Sequence, residues 1–427
     1  MQVKPVKIAV IGCGTICKRT YLPNLMNMFH IVDVVGVADL IDERAQAMAD
    51  QYGIRKMTNE EIYNDPEIEV VCNLTYPESH YEVTKAALEH GKHVYCEKMM
   101  ACDFAEAKEL ADLAKKNNLL YTTAPDTFLG ASAQSARFYL DAGLIGKPIS
   151  IHAQHTCSYQ PESQHFDLSP DTFFFPLHRG GGLPFDWGGY YLHTMINLLG
   201  SMTRVTGFGG TLEQHRPYTH PRHPKYGEDF FVDTPTSLWG AMEFENGCHG
   251  TFNITSDASQ SEFFELIGTE GTLVLGCPNN FAGDLILRRA GCNPGSDVPR
   301  TVIPVGEIPP VGSTSAAPQV GGSSGAQDRN AQLGERAWTC EVKLPLLHGY
   351  YASSRGVGLA DMCYALRNNR RPRAHHDIGL HAIECIHGIL EASKTNCTYQ
   401  MTTRCERPAM LPTTTAAGNG QEIVLDK

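Results

Sequence analysis

The sequence predicts an α/β fold with two domains: an N-terminal doubly wound parallel-sheet domain over residues 1–125, and a C-terminal α+β domain with a large, mostly antiparallel open sheet over residues 126–427. Three observations predict this division. Short apolar segments alternate with helical patterns up to about residue 125, which is typical of a parallel sheet. Strand-like patterns dominate residues 231–275. A chain of 427 residues also exceeds the usual size of one hydrophobic core.

Composition excludes several classes of protein. The net charge of −12 argues against a nucleic-acid partner, and no apolar stretch approaches the roughly 18 residues needed to span a membrane. Residues 1–7 lead directly into a strand without a signal-peptide pattern, so we expect a cytoplasmic location. The 14 cysteines are then expected to be free thiols, and none forms a Cys-x-x-Cys pair. We therefore predict no metal site.

A glycine-containing loop directly follows the first predicted strand, residues 7–11. Gly12 permits a tight turn, and Gly14 lets the backbone approach a pyrophosphate at a helix N-terminus. This arrangement predicts a Rossmann dinucleotide-binding domain, with cofactor contacts from Gly12, Gly14, Thr15 and Ile16.

An acidic residue, Asp39, ends the second predicted strand, residues 31–38. A carboxylate at this position binds the adenosine ribose hydroxyls and repels a 2′-phosphate, which favours NAD over NADP. The alternative is that Asp39 caps the helix 43–52.

The alternation then continues to the end of the first domain. The predicted elements are helix 42–52, strand 70–74, helix 79–90, strand 93–96, helix 104–117 and strand 119–123. The loop from Thr75 to Pro77 lies at the carboxyl end of one of these strands, which is the edge that faces the ligand crevice in such sheets.

Glu97 and Lys98 follow the predicted strand 93–96 at the same edge. A lysine there can orient a substrate hydroxyl and stabilise a developing alkoxide. The alternative is a surface ion pair between the two residues.

The second domain contains a polar helix face after a run of three glycines. A helix predicted over residues 186–199 places Asp186, Tyr190 and His193 at i, i+4 and i+7. A carboxylate, a phenol and an imidazole on one face suit proton transfer. The alternative is an amphipathic covering helix with an incidental histidine.

Further along, we predict strands 236–244, 249–256, 263–268 and 272–275, with one sheet face open to the active site or to a partner subunit. This face predicts a homodimer or homotetramer. His215, His220 and His223 have spacings that suit a metal, but three prolines favour a solvated loop. Residues 291–335 are rich in Gly, Ser, Pro and Ala and form an insertion, either disordered or a lid.

The chain resembles the Gfo/Idh/MocA family of NAD(P)-dependent oxidoreductases. The matching residues are Gly12-x-Gly14, Asp39, Thr75-x-Pro77 with His80, and Gly91-Lys92-His93-Val94-Tyr95-Cys96-Glu97-Lys98. The resemblance implies that Thr75, Pro77, His80, Glu97 and Lys98 contact the cofactor and that Lys98 is catalytic. Members usually have proline where this chain has Met99.

The family pattern Asp-x-Gly-x-His-x-x-Asp matches this chain at Asp186 and Gly188, with Tyr190 at the histidine position and His193 at the second aspartate. The resemblance implies that the general base is either Tyr190 or His193. The substrate contacts it implies are Asp126, Phe128, Arg179, Asp186 and His193.

What the resemblance implies is an NAD-dependent dehydrogenase that oxidises a secondary hydroxyl of a sugar, cyclitol or glycoside. Two alternatives stay open. One is a glycoside-cleaving enzyme that oxidises, eliminates and reduces while keeping its NAD. The other is a non-catalytic, NAD-binding regulator of a protein partner.

Overall fold

The computed structural model describes residues 4–158, 180–218, 221, 225–290, 339–348 and 350–412. Within these residues the N-terminal domain contains a parallel sheet of six strands in the order β3-β2-β1-β4-β5-β6. Its strands are β1 Val6–Ile11, β2 Val32–Ala38, β3 Arg55–Lys56, β4 Val70–Asn73, β5 His93–Cys96 and β6 Tyr121–Thr123. The predicted doubly wound parallel sheet is therefore confirmed.

The helices of this domain follow the predicted alternation. They are a π-helical turn Cys17–Tyr21 and the α-helices Leu22–Asn27, Asp42–Tyr52, Asn59–Asn64, Pro77–Glu89 and Phe104–Lys116. Strand β4 is buried along its whole length because helices cover both faces of the sheet. The strand order reverses between β1 and β4, so the carboxyl ends of these two strands open the crevice in which such sheets bind ligands.

The connection between the domains consists of two short helical elements. A short 3₁₀ turn, Thr127–Leu129, precedes the helix Ala131–Asp141. Gly130 separates them, and a Cβ atom there would lie 2.5 Å from the carbonyl oxygen of Phe281. The chain therefore breaks where two backbone segments pass too closely for any side chain.

The C-terminal domain contains a sheet whose nine described strands have the order β16-β15-β14-β13-β7-β12-β11-β8-β17. Its strands are β7 Pro148–Ser158, β8 Met202–Gly210, β11 Ser237–Phe244, β12 His249–Thr255, β13 Asp257–Gly268, β14 Thr272–Leu275, β15 Leu285–Ala290, β16 Thr339–Lys343 and β17 Tyr399–Gln400. A small hairpin is formed by β9 His215–Pro217 and β10 Asp229–Phe231.

The large antiparallel sheet is confirmed with one refinement. β7 pairs with β12 in parallel, while the other described pairings of this sheet are antiparallel. Strands β8, β15, β16 and β17 were not predicted, and they complete the two halves of the sheet on either side of this parallel pair. The α-helices that the structure describes in this domain are Ala131–Asp141, Leu183–Asp186, Gly188–Leu199, Val357–Asn368 and His376–Thr395.

The last two helices join the domains. Arg367 forms an ion pair of 2.7 Å with Glu69 beside β4, and the amide of Thr123 donates to the carbonyl of Ala374 at 3.1 Å. The C-terminal helices thus cover the outer end of the N-terminal sheet, and the boundary at residues 125/126 stays a prediction.

The predicted insertion, residues 291–335, lies outside the described residues. The strands on either side of the insertion are described, and Ala290 of β15 is the register partner of Thr339 of β16. The chain therefore leaves and re-enters the sheet at adjacent points. His220 and His223 also lie outside the described part of the chain. Among the helices that the structure describes, none combines the length and the apolarity needed to cross a bilayer.

Candidate active site

The glycine loop after β1 lies against the start of the loop after β4. Gly12 has a φ of +102°, and a Cβ atom there would lie 2.6 Å from the backbone carbon of Leu74. A Cβ atom on Gly14 would meet nothing within 4 Å, so open space borders the backbone at this point. A tight glycine next to an accessible one fits a loop that admits a pyrophosphate.

Asp39 is fixed beside this loop. Its carboxylate accepts hydrogen bonds from the backbone amides of Cys13 at 2.6 Å and Ile41 at 2.8 Å. A carboxylate oxygen has two acceptor positions, so each oxygen can accept a further hydrogen bond from a ribose hydroxyl. Leu40 follows with 97% of its surface exposed. The sequence did not single out Leu40, whose apolar surface fits the flat face of an adenine.

The central contact of the site joins Lys98, at the carboxyl end of β5, to Asp186 in the second domain. The Lys98 Nζ atom lies 2.5 Å from Asp186 Oδ1, and the two side chains are only 11% and 14% exposed. Burial disfavours the ammonium, but Asp186, Tyr190 and Glu97 outweigh it, and the pKa of Lys98 is raised above its usual value. Lys98 is therefore a permanent cation at this edge.

Tyr190 is held between two cations. Lys98 Nζ lies 5.4 Å from the centre of its ring, and the guanidinium of Arg355 donates a hydrogen bond of 3.1 Å to its hydroxyl oxygen. Burial raises the pKa of Tyr190 above its usual value, and Lys98 and Arg355 oppose this shift without cancelling it. The neutral phenol is therefore the resting form, and the two cations lower the cost of ionising it.

Arg355 is the residue that the sequence-based site lacked. It also contacts the side-chain oxygen of Asn279, and its neighbours include Tyr21, Glu97 and Asp126. Its segment, Ser354-Arg355-Gly356, precedes the helix Val357–Asn368. A charged residue between small residues next to a helix start was the available signal.

The helix predicted over residues 186–199 is interrupted at Trp187. Asp186 ends the short helix Leu183–Asp186, and a second helix, Gly188–Leu199, carries Tyr190 and His193. The side chains of Asp186 and Tyr190 both reach Lys98, but the shared face predicted for all three residues is not formed.

His193 lies in the core. It is 1% exposed and packs edge-on against Phe128, with ring centres 6.0 Å apart. Burial lowers its pKa to about 3, although the backbone of Pro125 opposes the shift. His193 is therefore a neutral imidazole without access to water, which disfavours it as the general base.

Glu97 supports Lys98 from below. Its carboxylate accepts a hydrogen bond of 2.6 Å from the Tyr21 hydroxyl and one of 2.9 Å from the Lys98 amide. The hydroxyls of Tyr21 and Tyr95 are 3.1 Å apart, which extends the buried network. With 6% of its surface exposed, Glu97 fixes the backbone of Lys98.

His80 connects the two loops that carry the predicted cofactor contacts. Its ring nitrogens lie 2.6 Å from the Met99 carbonyl and 3.0 Å from the Thr75 carbonyl, and burial lowers its pKa. Pro77 begins the following helix, and Thr75 donates its hydroxyl hydrogen to Asn73. The Lys98–Met99 peptide bond is cis. His80 is 1% exposed, so it stabilises these two loops from the protein interior.

Two of the predicted substrate contacts are structural in the described chain. Asp126 is 0% exposed and accepts hydrogen bonds from the amides of Gly356 at 2.8 Å and Gly358 at 3.0 Å, which fixes the start of the helix Val357–Asn368. Phe128 is 1% exposed. Both predictions are corrected because tertiary contacts cover these side chains. Arg179 lies outside the described residues.

Two family models match the chain. The "Oxidoreductase family, NAD-binding Rossmann fold" matches residues 6–124, and the "GFO/IDH/MocA C-terminal domain" matches residues 133–274. Together they span more than half of the sequence. The chain belongs to the GFO/IDH/MocA family, and its first domain is an NAD-binding Rossmann domain.

Several curated proteins are similar to the chain. The inositol 2-dehydrogenase/D-chiro-inositol 3-dehydrogenase of Lactiplantibacillus plantarum is 33% identical over 178 residues, which cover 40% of this chain and 50% of that protein. The scyllo-inositol 2-dehydrogenase (NAD(+)) of Bacillus subtilis is 26% identical over 276 residues, 64% of this chain and 74% of that protein. The matches to the first relatives thus span about half of their length.

Solved structures share the fold over nearly the whole chain. Levoglucosan dehydrogenase in complex with NADH and levoglucosan has a TM-score of 0.68 and 20% identity, covering 94% of this chain and 100% of that one. An oxidoreductase from Thermotoga maritima has a TM-score of 0.65 and 18% identity, covering 93% and 98%. At these identities the likeness establishes the fold.

Changing Asp39 to alanine should narrow the preference for NAD over NADP by about tenfold or more, because a fixed negative charge no longer repels the 2′-phosphate. The measurement is kcat/KM for each cofactor. Asp42→Ala is the matched control, since Asp42 pairs with Lys56 on the surface nearby. Unaltered protein that turns over NADP as well as NAD would contradict the assignment.

Proposed function

We propose that the protein is an NAD-dependent dehydrogenase that oxidises a secondary hydroxyl of a sugar, cyclitol or glycoside. The observation that carries this proposal is the buried cluster of Lys98, Asp186, Tyr190 and Arg355 at the ligand-binding edge of an NAD-binding sheet. A fixed cation beside a phenol held by a second cation is suited to removing a proton from an alcohol.

The residues present fit the cofactor. Gly12 and Gly14 would admit its pyrophosphate, Asp39 would bind the adenosine ribose, and Leu40 would cover the adenine. The loop at Thr75 and Pro77, together with Lys98, would border the nicotinamide. When bound, NAD supplies an acceptor for the hydride that leaves the carbinol carbon.

The remaining chemistry belongs to the side chains. Lys98 donates a hydrogen bond to the substrate hydroxyl oxygen and stabilises negative charge on it as the O–H bond weakens. Tyr190 takes the hydroxyl proton in its ionised form, which Lys98 and Arg355 stabilise against the burial that raises its pKa. Asp186 fixes the direction of the Lys98 ammonium, which positions both groups before the reaction. The carbinol C–H and O–H bonds break and a carbonyl forms.

Arg355 makes this role possible for a phenol. A buried tyrosine resists ionisation, but the Arg355 guanidinium donates directly to the oxygen that would carry the charge. Family members that have histidine at this position need no such partner, because an imidazole accepts protons near neutral pH unaided.

Purified protein with NAD should form NADH in step with a ketone when offered a panel of sugars, cyclitols and glycosides. Tyr190→Phe should lower kcat by about 100-fold or more, the usual effect of losing an acid–base group. Tyr191→Phe is the matched control, since that hydroxyl donates to Glu262. Cleavage of glycosides without net NADH would favour the glycoside-cleaving alternative instead.

His193→Gln completes the same experiment. Because His193 is buried and neutral, we expect the His193→Gln variant to have a lower melting temperature than the wild type. Its kcat should stay within a few-fold of the wild-type value. Loss of turnover in His193→Gln together with full turnover in Tyr190→Phe would reverse the two assignments.

Replacing Arg355 with methionine should move the acidic limb of the kcat profile to higher pH. Arg355 lowers the pKa of Tyr190, so its removal raises that pKa, and a more alkaline solution is needed to form the phenolate. Arg355→Lys retains the charge and should shift the limb less. An unmoved limb in the methionine variant would exclude Tyr190 as the ionising base.

We further propose that the open face of the C-terminal sheet pairs with a second copy of the chain. A continuous row of register partners crosses five adjacent strands of this face: Phe208, Trp239, Asn253, Gln154 and Phe263. At about 4.8 Å per strand the row is roughly 20 Å long. Phe208 is 73%, Trp239 41% and Phe263 38% exposed.

The composition of this row supports a self-complementary contact. Aromatic rings flank two adjacent amide side chains, so a two-fold axis midway between Gln154 and Asn253 places amides opposite amides and Phe263 of one copy opposite Trp239 of the other. The cytoplasmic location stays a prediction from the sequence alone.

Trp239→Glu should reduce the mass of the particle in solution, because a charge in the row would be buried without a partner. Light scattering after size-exclusion chromatography gives that mass. Met26→Glu is the control, because Met26 lies in the other domain and is comparably exposed, at 37%. This variant should leave the particle mass unchanged. A wild-type protein that is monomeric at micromolar concentration would refute this pairing.

A further inference from the structure

A cavity of about 250 Å³ lies next to Arg355. Its lining residues are Asn279, Asn280, Phe281, Ala282, Tyr351, Ser353 and Arg355. Arg355 donates to the Tyr190 hydroxyl and also contacts the Asn279 side chain. Arg355 therefore borders both the cavity and the proposed base.

One wall of the cavity is fixed by the C-terminal domain. The loop between β14 and β15 turns at Asn280, where the backbone N–H of Asn280 donates to the Cys277 carbonyl at 3.0 Å. Phe281 accepts a hydrogen bond of 3.1 Å from the amide of Ser132, at the start of the helix Ala131–Asp141. This loop therefore presents its asparagines from a defined position.

The part of the lining that includes Ser353 and Arg355 is held by the N-terminal domain. The side-chain amide of Asn24 donates to the carbonyls of Ser353 and Arg355, at 2.9 Å in each case. The Tyr351 hydroxyl donates to the Leu346 carbonyl at 3.0 Å, and 39% of the Tyr351 surface stays exposed. Because both walls are held before any ligand arrives, binding here loses little conformational entropy.

The Arg355 guanidinium is already engaged on the protein side. One of its terminal nitrogens donates to the Tyr190 hydroxyl and the other to the side-chain oxygen of Asn279. An anionic ligand would have to displace these contacts. The amides of Asn279 and Asn280, the Ser353 hydroxyl and the exposed Tyr351 ring instead suit hydroxyl groups and the C–H face of a sugar ring.

The volume restricts the ligand further. Pockets that enclose a whole drug-sized ligand measure roughly 300–1,000 Å³, so this cavity has room for a single ring. We propose that it is a second subsite, which binds an uncharged sugar ring joined to the ring that is oxidised. This inference rests on the proposed dehydrogenase function and selects glycosides within the proposed substrate class.

The test compares substrates that share the oxidised ring: a monosaccharide, a neutral disaccharide that contains it, and the same disaccharide with a uronic acid as its second ring. We expect kcat/KM to be at least about tenfold higher for the neutral disaccharide than for the monosaccharide. Tyr351→Ala should lower kcat/KM for the disaccharide about tenfold, which is the scale of one lost ring contact. It should leave kcat/KM for the monosaccharide unchanged. Tyr351→Phe keeps the ring and should lose less.

Tyr226→Ala is the matched control, because Tyr226 is a 59% exposed tyrosine outside the cavity lining. Equal kcat/KM for monosaccharide and disaccharide, or an equal loss for both in Tyr351→Ala, would overturn the subsite. A preference for the uronic acid would overturn the assignment of an uncharged ring.

If no sugar is oxidised, the proposed function is wrong. The subsite can then be tested separately by measuring sugar binding. Calorimetry with NAD-saturated protein should then detect the neutral disaccharide and weaker binding by Tyr351→Ala. No binding to the wild type, or equal binding by both proteins, would exclude the subsite as well.

Discussion

The ion pair between Lys98 and Asp186 is the contact on which the rest of the site depends. It joins the carboxyl edge of the N-terminal sheet to a short helix of the second domain, and both side chains are largely buried. Neither charge is stable there alone, since a buried ion without its partner is strongly destabilising. The ion pair at the proposed active site therefore forms only when the two domains are correctly packed.

A contact of Asn24 in the first domain repeats this dependence, because its side-chain amide donates to the carbonyls of Ser353 and Arg355. Asp126, at the start of the second domain, holds the beginning of the adjoining helix Val357–Asn368. Tyr190 and Arg355, the proposed base and its cation, therefore lie in the second domain, while the first domain helps to position Arg355. A domain rotation would separate Lys98 from Tyr190 and would disturb the cavity next to Arg355 at the same time.

The neighbouring groups are what separate the two possible bases. Tyr190 and His193 are three residues apart on one helix and both are nearly inaccessible to water, yet Tyr190 lies near two cations and His193 packs against Phe128. A phenol gains from nearby positive charge because its ionised form is an anion, whereas burial alone keeps an imidazole neutral. If Tyr190 is the base, as proposed, Arg355 is the additional cation that assists it.

The sequence by itself determined the features that depend on local pattern: the alternating strands and helices of the first domain, the tight turn at Gly12, the acidic end of β2 at Asp39 and the position of Lys98 after β5. Only the tertiary structure decided the roles of Arg355, His193 and Asp126, the break at Trp187 and the parallel pairing of β7 with β12. These depend on contacts between residues tens to hundreds of positions apart, which set burial and charge. Periodicity and motif spacing describe neighbours along the chain, and they contain no information about which distant side chain will cover or ionise a given group.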